Sequence, residues 1–160
     1  MLRTRLAILA VVLTLTVPVA AQKSQLGYYR FPALSGDTMV FTAEGDLWRV
    51  AASGGVAQRL TAHPEEESRP AVSPDGKWVA YSATYEGPAE VYTLPLEGCV
   101  PVRQTHDASR AQVVGWTPGG DILYATRRHS TLPNTQLARL NPQTGVRALE
   151  WIERVPGAER

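Results

Sequence analysis

Between residues 28 and 149, apolar and polar positions alternate over short runs. Gly, Pro, Asn and Asp interrupt the runs before a helical period with caps can develop. The second part of the chain is the most legible. Ala71-Val-Ser73 predicts a short strand, and Ser73-Pro-Asp-Gly76 a tight turn, because Pro presets φ and Gly supplies a positive φ. Lys77-Trp-Val-Ala-Tyr-Ser82 and Glu90-Val-Tyr-Thr-Leu94 are aromatic and branched alternating strands joined at Glu86-Gly-Pro88. Glu97-Gly98 then turns the chain into a last strand, Val100 to Thr105. The prediction is a four-stranded antiparallel meander.

The same pattern occurs more than once. Pro32-Ala-Leu-Ser-Gly-Asp-Thr-Met-Val-Phe-Thr-Ala43 aligns with Pro70-Ala-Val-Ser-Pro-Asp-Gly-Lys-Trp-Val-Ala-Tyr-Ser-Ala83. Gly45-Asp-Leu-Trp-Arg-Val50 answers Ala89-Glu-Val-Tyr-Thr-Leu94, and Gly54 to Thr61 answers Gly98 to Thr105. A looser third copy runs from Val113 through Trp116-Thr-Pro-Gly-Gly120 and Ile122-Leu-Tyr124 to Gln136-Leu-Ala-Arg-Leu140, with a turn at Asn141-Pro-Gln-Thr-Gly145. Phe41, Tyr81 and Tyr124 mark the period, 40 and 43 residues apart, which is that of propeller blades. The fold expected is all-β: a partial β-propeller of about two and a half to three four-stranded antiparallel blades, at 28–61, 70–105 and 112–149. Residues 150–160 form a tail. Closed rings have about four to eight blades. The chain therefore reads either as the front of a longer protein or as short chains packed side by side. The first is preferred, because exposed blade edges invite aggregation.

Residues 1–21 read as a helical signal peptide, with Arg3 and Arg5 before an apolar run and Val19-Ala20-Ala21 as the cleavage site. Thr14, Thr16 and Pro18 interrupt a stretch that would need about 20 mostly apolar residues to span a membrane. The expectation is an exported chain, periplasmic or secreted, with no membrane attachment after cleavage. Of 16 basic residues, Arg3 and Arg5 leave with the leader, so 14 stand against 15 acidic ones. No basic cluster with interleaved aromatics occurs, which argues against a nucleic-acid partner. The single cysteine, Cys99, can form no internal disulfide, so burial must hold the fold.

The candidate residues are few. Glu65, Glu66 and Glu67, followed by Arg69, occupy the connection into the second blade. There, propeller loops approach the central channel, and the run is read as a solvated acidic loop or as a peptide-contact loop suited to basic termini. Asp37, Ser73, Pro74, Asp75 and Gly76 belong to repeat turns, where Asp accepts backbone hydrogen bonds. His63 and His106 follow Thr61 and Thr105 at nearly equivalent places and, with His129, are read as loop histidines. No catalytic residue, metal site or cofactor is expected; Ser35 and Ser73 lie in turns, without a Gly-x-Ser-x-Gly elbow. Trp78 and Tyr81 point to opposite faces of one strand, both expected to be core.

Ser-Pro-Asp-Gly at 73–76, an apolar strand ending Ala-Tyr-Ser, and Arg-x-Thr at 103–105 together resemble the WD40-like propeller repeats (PD40) of the TolB and tricorn-protease group. The stretch Tyr29-Arg-Phe-Pro-Ala-Leu-Ser-Gly-Asp through Gly45-Asp-Leu-Trp48 resembles the start of the amino-terminal propeller of tricorn-type serine proteases. That resemblance covers about residues 28–145. It implies a propeller preceding a PDZ-like module and a protease domain, neither of which these residues contain. It further implies a non-catalytic scaffold or peptide-docking role whose partners are a peptide or protein and the remainder of a longer propeller and protease. An independent TolB-like periplasmic binding module is the alternative.

Overall fold

The computed structural model describes residues 27–129 and 131–149. The leader expected at 1–21 and the tail at 150–160 lie outside the described residues. Twelve strands form three four-stranded antiparallel sheets in sequence order. The first holds β1 (Tyr29–Ser35), β2 (Thr38–Ala43), β3 (Asp46–Ala51) and β4 (Gln58–Arg59). The second holds β5 (Glu67–Val72), β6 (Trp78–Ala83), β7 (Glu90–Pro95) and β8 (Val102–Arg103). The third holds β9 (Ala111–Trp116), β10 (Ile122–Thr126), β11 (Gln136–Leu140) and β12 (Arg147–Leu149). Among the described residues no helix is long and apolar enough to cross a membrane.

The registers superimpose. Phe41 pairs with Trp48, Tyr81 with Tyr92 and Tyr124 with Ala138. The third sheet is complete despite its looser sequence, because Thr117 takes the part of Ser73. Trp78 N donates to Ser73 Oγ at 2.9 Å, and Asp121 N to Thr117 Oγ1 at 3.1 Å. Gly76 and Gly120 close these turns at φ of 69° and 87°, which glycine adopts without strain.

Period-two alternation buries both faces of the middle sheet. Val79, Tyr81 and Ala83 of β6, with Tyr92 and Leu94 of β7, pack with Val40 and Leu47 of the first sheet. Ala80 and Val91, from the opposite face, pack with Val113, Ile122, Tyr124 and Leu140 of the third. The first strand of each following sheet lies along the preceding sheet: Glu67 N donates to Gly45 O at 2.8 Å, and Ala111 N to Ala89 O at 2.7 Å.

Trp78 departs from the expected core position. It is on the face predicted, opposite Tyr81, but stands 41% exposed at the entrance of β6. The neighbouring turn of the third sheet, Gly119-Gly120, offers no side chain to cover it. Tyr81, fully buried and stacked on Tyr92 at 5.9 Å, carries the packing. Replacing Tyr81 with Ala is expected to cost about 3–5 kcal/mol, as for other large buried aromatics, and Trp78→Ala markedly less. Urea unfolding of the two variants checks the order.

Candidate functional site

A repeated backbone irregularity builds the surface on which the first strands meet. The pairing of β1 with β2 shifts between Arg30 and Ala33, and that of β5 with β6 between Ser68 and Ala71. Within these bulges Phe31 and Arg69 hold φ of 51° and 53°, in the left-handed region that side chains other than glycine avoid. The two residues are equivalent, each preceding the aligned Pro32 or Pro70, and both are exposed. A bulge re-aims a side chain out of the pleat. In the third sheet the shift in pairing, between Leu123 and Tyr124, leaves Val114 without a partner residue on β10, and the adjacent Val113 N donates to Ser82 Oγ of the preceding sheet at 2.8 Å.

The wall so formed encloses a cavity of about 370 Å³ lined by Phe31, Glu66, Ser68, Arg69, Arg110 and Gln112, among others. Arg69 lies over the Phe31 ring at 5.5 Å, within cation–π range. Arg30 pairs with Glu66 at 2.7 Å. Oriented to accept, the Gln112 amide oxygen takes Arg110 Nη2 and Nε at 3.0 and 3.2 Å. Arg69 and Arg110 have no carboxylate partner among the described residues.

The acidic run expected to act as one loop is divided. Glu65 is exposed, its N–H donating to His63 Nδ1 at 3.1 Å, and Glu66 lines the cavity. Glu67 contradicts the reading of a solvent-facing contact residue: it opens β5 and is 0% exposed. Leu47 N reaches its Oε2 at 3.1 Å; Thr61 Oγ1 also donates to Oε2, and Tyr85 OH to Oε1. Those three donors replace the water that burial removes. Arg69 likewise belongs to β5 rather than to the connection before it. The turn residues lie away from this wall. Ser73 Oγ donates to Asp75 Oδ1 at 2.6 Å and Lys77 N to the same oxygen at 3.1 Å. Both bonds hold the Asp75 carboxyl below its usual range. Pro74 and Gly76 are exposed in that turn, and Asp37 is exposed with its carbonyl accepting from Ala52 N at 2.8 Å. The first two histidines differ: His63 stacks on Tyr85 at 3.9 Å between ring centroids, whereas His106 is exposed.

Phe31, Arg110 and Gln112 were not singled out by sequence. The aligned Pro32 and Pro70 were a usable signal for the first, since the residue before each proline occupies the bulge. Nothing comparable marks Arg110.

Three four-stranded meanders, each laid along the face of the one before with its first strand at the shared wall, are β-propeller blades. The sequence profile described as the tricorn protease N-terminal beta propeller domain matches residues 26–157, and the chain belongs to that family. The protein called tricorn protease homolog 1 of Streptomyces coelicolor is 42% identical over 103 residues, 64% of this chain and 10% of that protein. The chain thus spans about a tenth of that relative's length. The crystal structure of the tricorn protease superposes with a TM-score of 0.64 at 21% identity over 71% of this chain and 12% of that one. A putative TolB from Agrobacterium tumefaciens gives 0.67 at 23% identity over 77% of this chain and 46% of that one.

Burial raises the Glu67 carboxyl above its ordinary 4.5; the three hydrogen bonds oppose this and the nearby Asp46 charge adds to it. Below 4.5 the group is protonated folded and unfolded, and its contribution is level. Above 4.5 the unfolded chain releases a proton that the folded chain keeps, so stability falls as pH rises through the folded-state pKa. Urea unfolding from about pH 4 to about pH 7 should show the advantage of the wild type over Glu67→Gln shrinking with pH. A constant difference would refute the assigned shift.

Proposed function

We propose that this chain is the non-catalytic propeller portion of an exported tricorn-like serine protease, and that its inner wall docks peptides presenting carboxylates. The observation carrying this reading is the recurring bulge. It turns Phe31 and Arg69 out of their strands onto one surface with Arg110, and backbone strain of that kind persists where the surrounding structure over-determines it. An aromatic ring beside arginines supplies apolar contact together with forked donors for carboxylate oxygens. The acidic run 65–67 gives way to these arginines as the recognising element, because Glu67 is buried and Glu66 is paired with Arg30.

The remainder of a longer propeller and protease is the proposed partner. Membership of the family supports this, as do Tyr29 and Leu34 in β1 and Val114 in β9, which stand 64%, 63% and 59% exposed. Apolar side chains of blade strands are ordinarily covered by a neighbouring blade. The leader pattern at 1–21 supports export.

Fluorescence anisotropy with a labelled glutamate-rich peptide tests the docking role. The wild type is expected to bind it more tightly than the matching glutamine-rich peptide. The double reversal Arg69→Glu with Arg110→Glu should weaken binding of the acidic peptide about tenfold or more, with unchanged circular dichroism. Equal affinity for the two peptides, or for wild type and the double variant, would remove the wall as a docking surface.

A further inference from the structure

A second cavity, of about 510 Å³, lies between the middle and third blades, at the turns joining their first two strands. It falls within the roughly 300–1,000 Å³ of small-ligand sites. Its two indoles come from different blades: Trp78 from β6, and Trp116 from the end of β9. Trp116 Nε1 donates to Ala71 O at 2.8 Å, which fixes that ring in place. Trp78 is 41% exposed, its indole standing at the mouth of the cavity.

The departures of the third repeat from the pattern of the second are the features that build this cavity. Trp116 pairs with Ile122 where Val72 pairs with Val79, so an indole replaces a valine. Gly119 stands where the second turn has Asp75, which removes a side chain from the wall. Asp75 itself lines the cavity and is the one charged residue among the lining groups; the others include Thr93, Gln104 and Gln143. Its hydrogen bonds from Ser73 and Lys77 both fall on Oδ1, so Oδ2 is left for a ligand. The adjacent Lys77 is exposed and is not part of the lining.

We propose that this inter-blade cavity binds the arginine side chain of an extended peptide, with the guanidinium stacked on Trp78 and Trp116 and hydrogen-bonded to the Asp75 carboxylate. A cation is the complement of a site whose single charge is negative and whose walls are aromatic. Guanidinium is preferred to ammonium because it is planar, weakly hydrated and forked. The site is separate from the inner wall, whose lining holds Arg69 and Arg110 and shares no residue with it.

The test is NMR titration of the ¹⁵N-labelled chain with acetyl-Gly-Arg-Gly-amide and with the same peptide bearing citrulline, the neutral isostere. The arginine peptide is expected to shift the indole N–H signals of Trp78 and Trp116 and to leave Trp48 in place. The citrulline peptide should bind at least about tenfold more weakly, the loss of one favourable charged contact. Asp75→Asn keeps an acceptor for Ser73 and Lys77 while removing the charge. Gly119→Leu fills the cavity from a position where an added Cβ meets only Thr117 Oγ1, at 3.8 Å. Each should weaken binding of the arginine peptide about tenfold or more. Equal binding of the two peptides, shifts confined to other residues, no binding of either, or full affinity in both folded variants would overturn the proposal.

Discussion

The junction between blades rests on carboxylates buried where one blade hands the chain to the next. Asp46 and Glu90 open the third strands of the first two blades and are 3% and 1% exposed. Each is tied to the fourth strand through Arg59 or Arg103 and to the outgoing connection, from His63 N at 3.0 Å or Ala108 N at 2.9 Å. Thr61 and Thr105 complete the arrangement, accepting from Leu47 N at 2.9 Å and Val91 N at 2.8 Å. A buried charge lacking such donors would cost several kcal/mol, on the order of the net stability of a small domain. The strands that carry apolar packing can therefore meet only in the arrangement that also supplies these donors.

The two threonines illustrate how one device serves different neighbours. Thr105 donates to Glu90 of its own blade, whereas Thr61 donates to Glu67 of the next. Glu67 has Ala111 as its counterpart at the third blade, judged by pairing with Ala83 and Thr126. The first junction therefore holds the Glu67 carboxyl bonded to the phenol of Tyr85, whereas the second has Ala111 at that position and places its buried carboxylate at Asp107, paired with Arg128 and Arg147. Burial, first, and the bond to Glu67, next, hold the Tyr85 hydroxyl in its protonated form, which keeps it a donor to the carboxylate.

Much of the architecture was legible because a blade with both faces covered writes a redundant signal. Aromatic and branched strands, turn residues at fixed offsets and repetition of the whole unit agree with one another. The third copy was harder to read, since Thr117 stands for Ser73 and the turn is shorter; what persists is a hydroxyl accepting a backbone N–H, a function that two residue types perform. The inner wall was less legible. A positive φ at Phe31 or Arg69 is marked in the sequence only by the proline that follows each, because the bulge that imposes it depends on pairing with β2 or β6. Glu67 was misread for the opposite reason: its composition suggested solvent, but its three donors come from Leu47, Thr61 and Tyr85, well apart in sequence.

The copies differ most where a surface opens. Positions that hold the meander together repeat in kind: the aromatic of the second strand, the Ser or Thr of the first turn, the Thr after the fourth strand. Positions that face a cavity do not. Phe31 becomes Arg69 at the bulge, and Val72 and Asp75 become Trp116 and Gly119 beside the inter-blade cavity. This follows from packing. A residue wedged between two blades must fit both, and changing its volume by even a methylene is felt on either side, whereas a residue at the wall answers to one blade and to whatever occupies the space. In a repeat fold, a departure from the repeat at a position that is not core therefore carries information about binding that the regular positions cannot carry, and the two cavities described above are each lined by such departures.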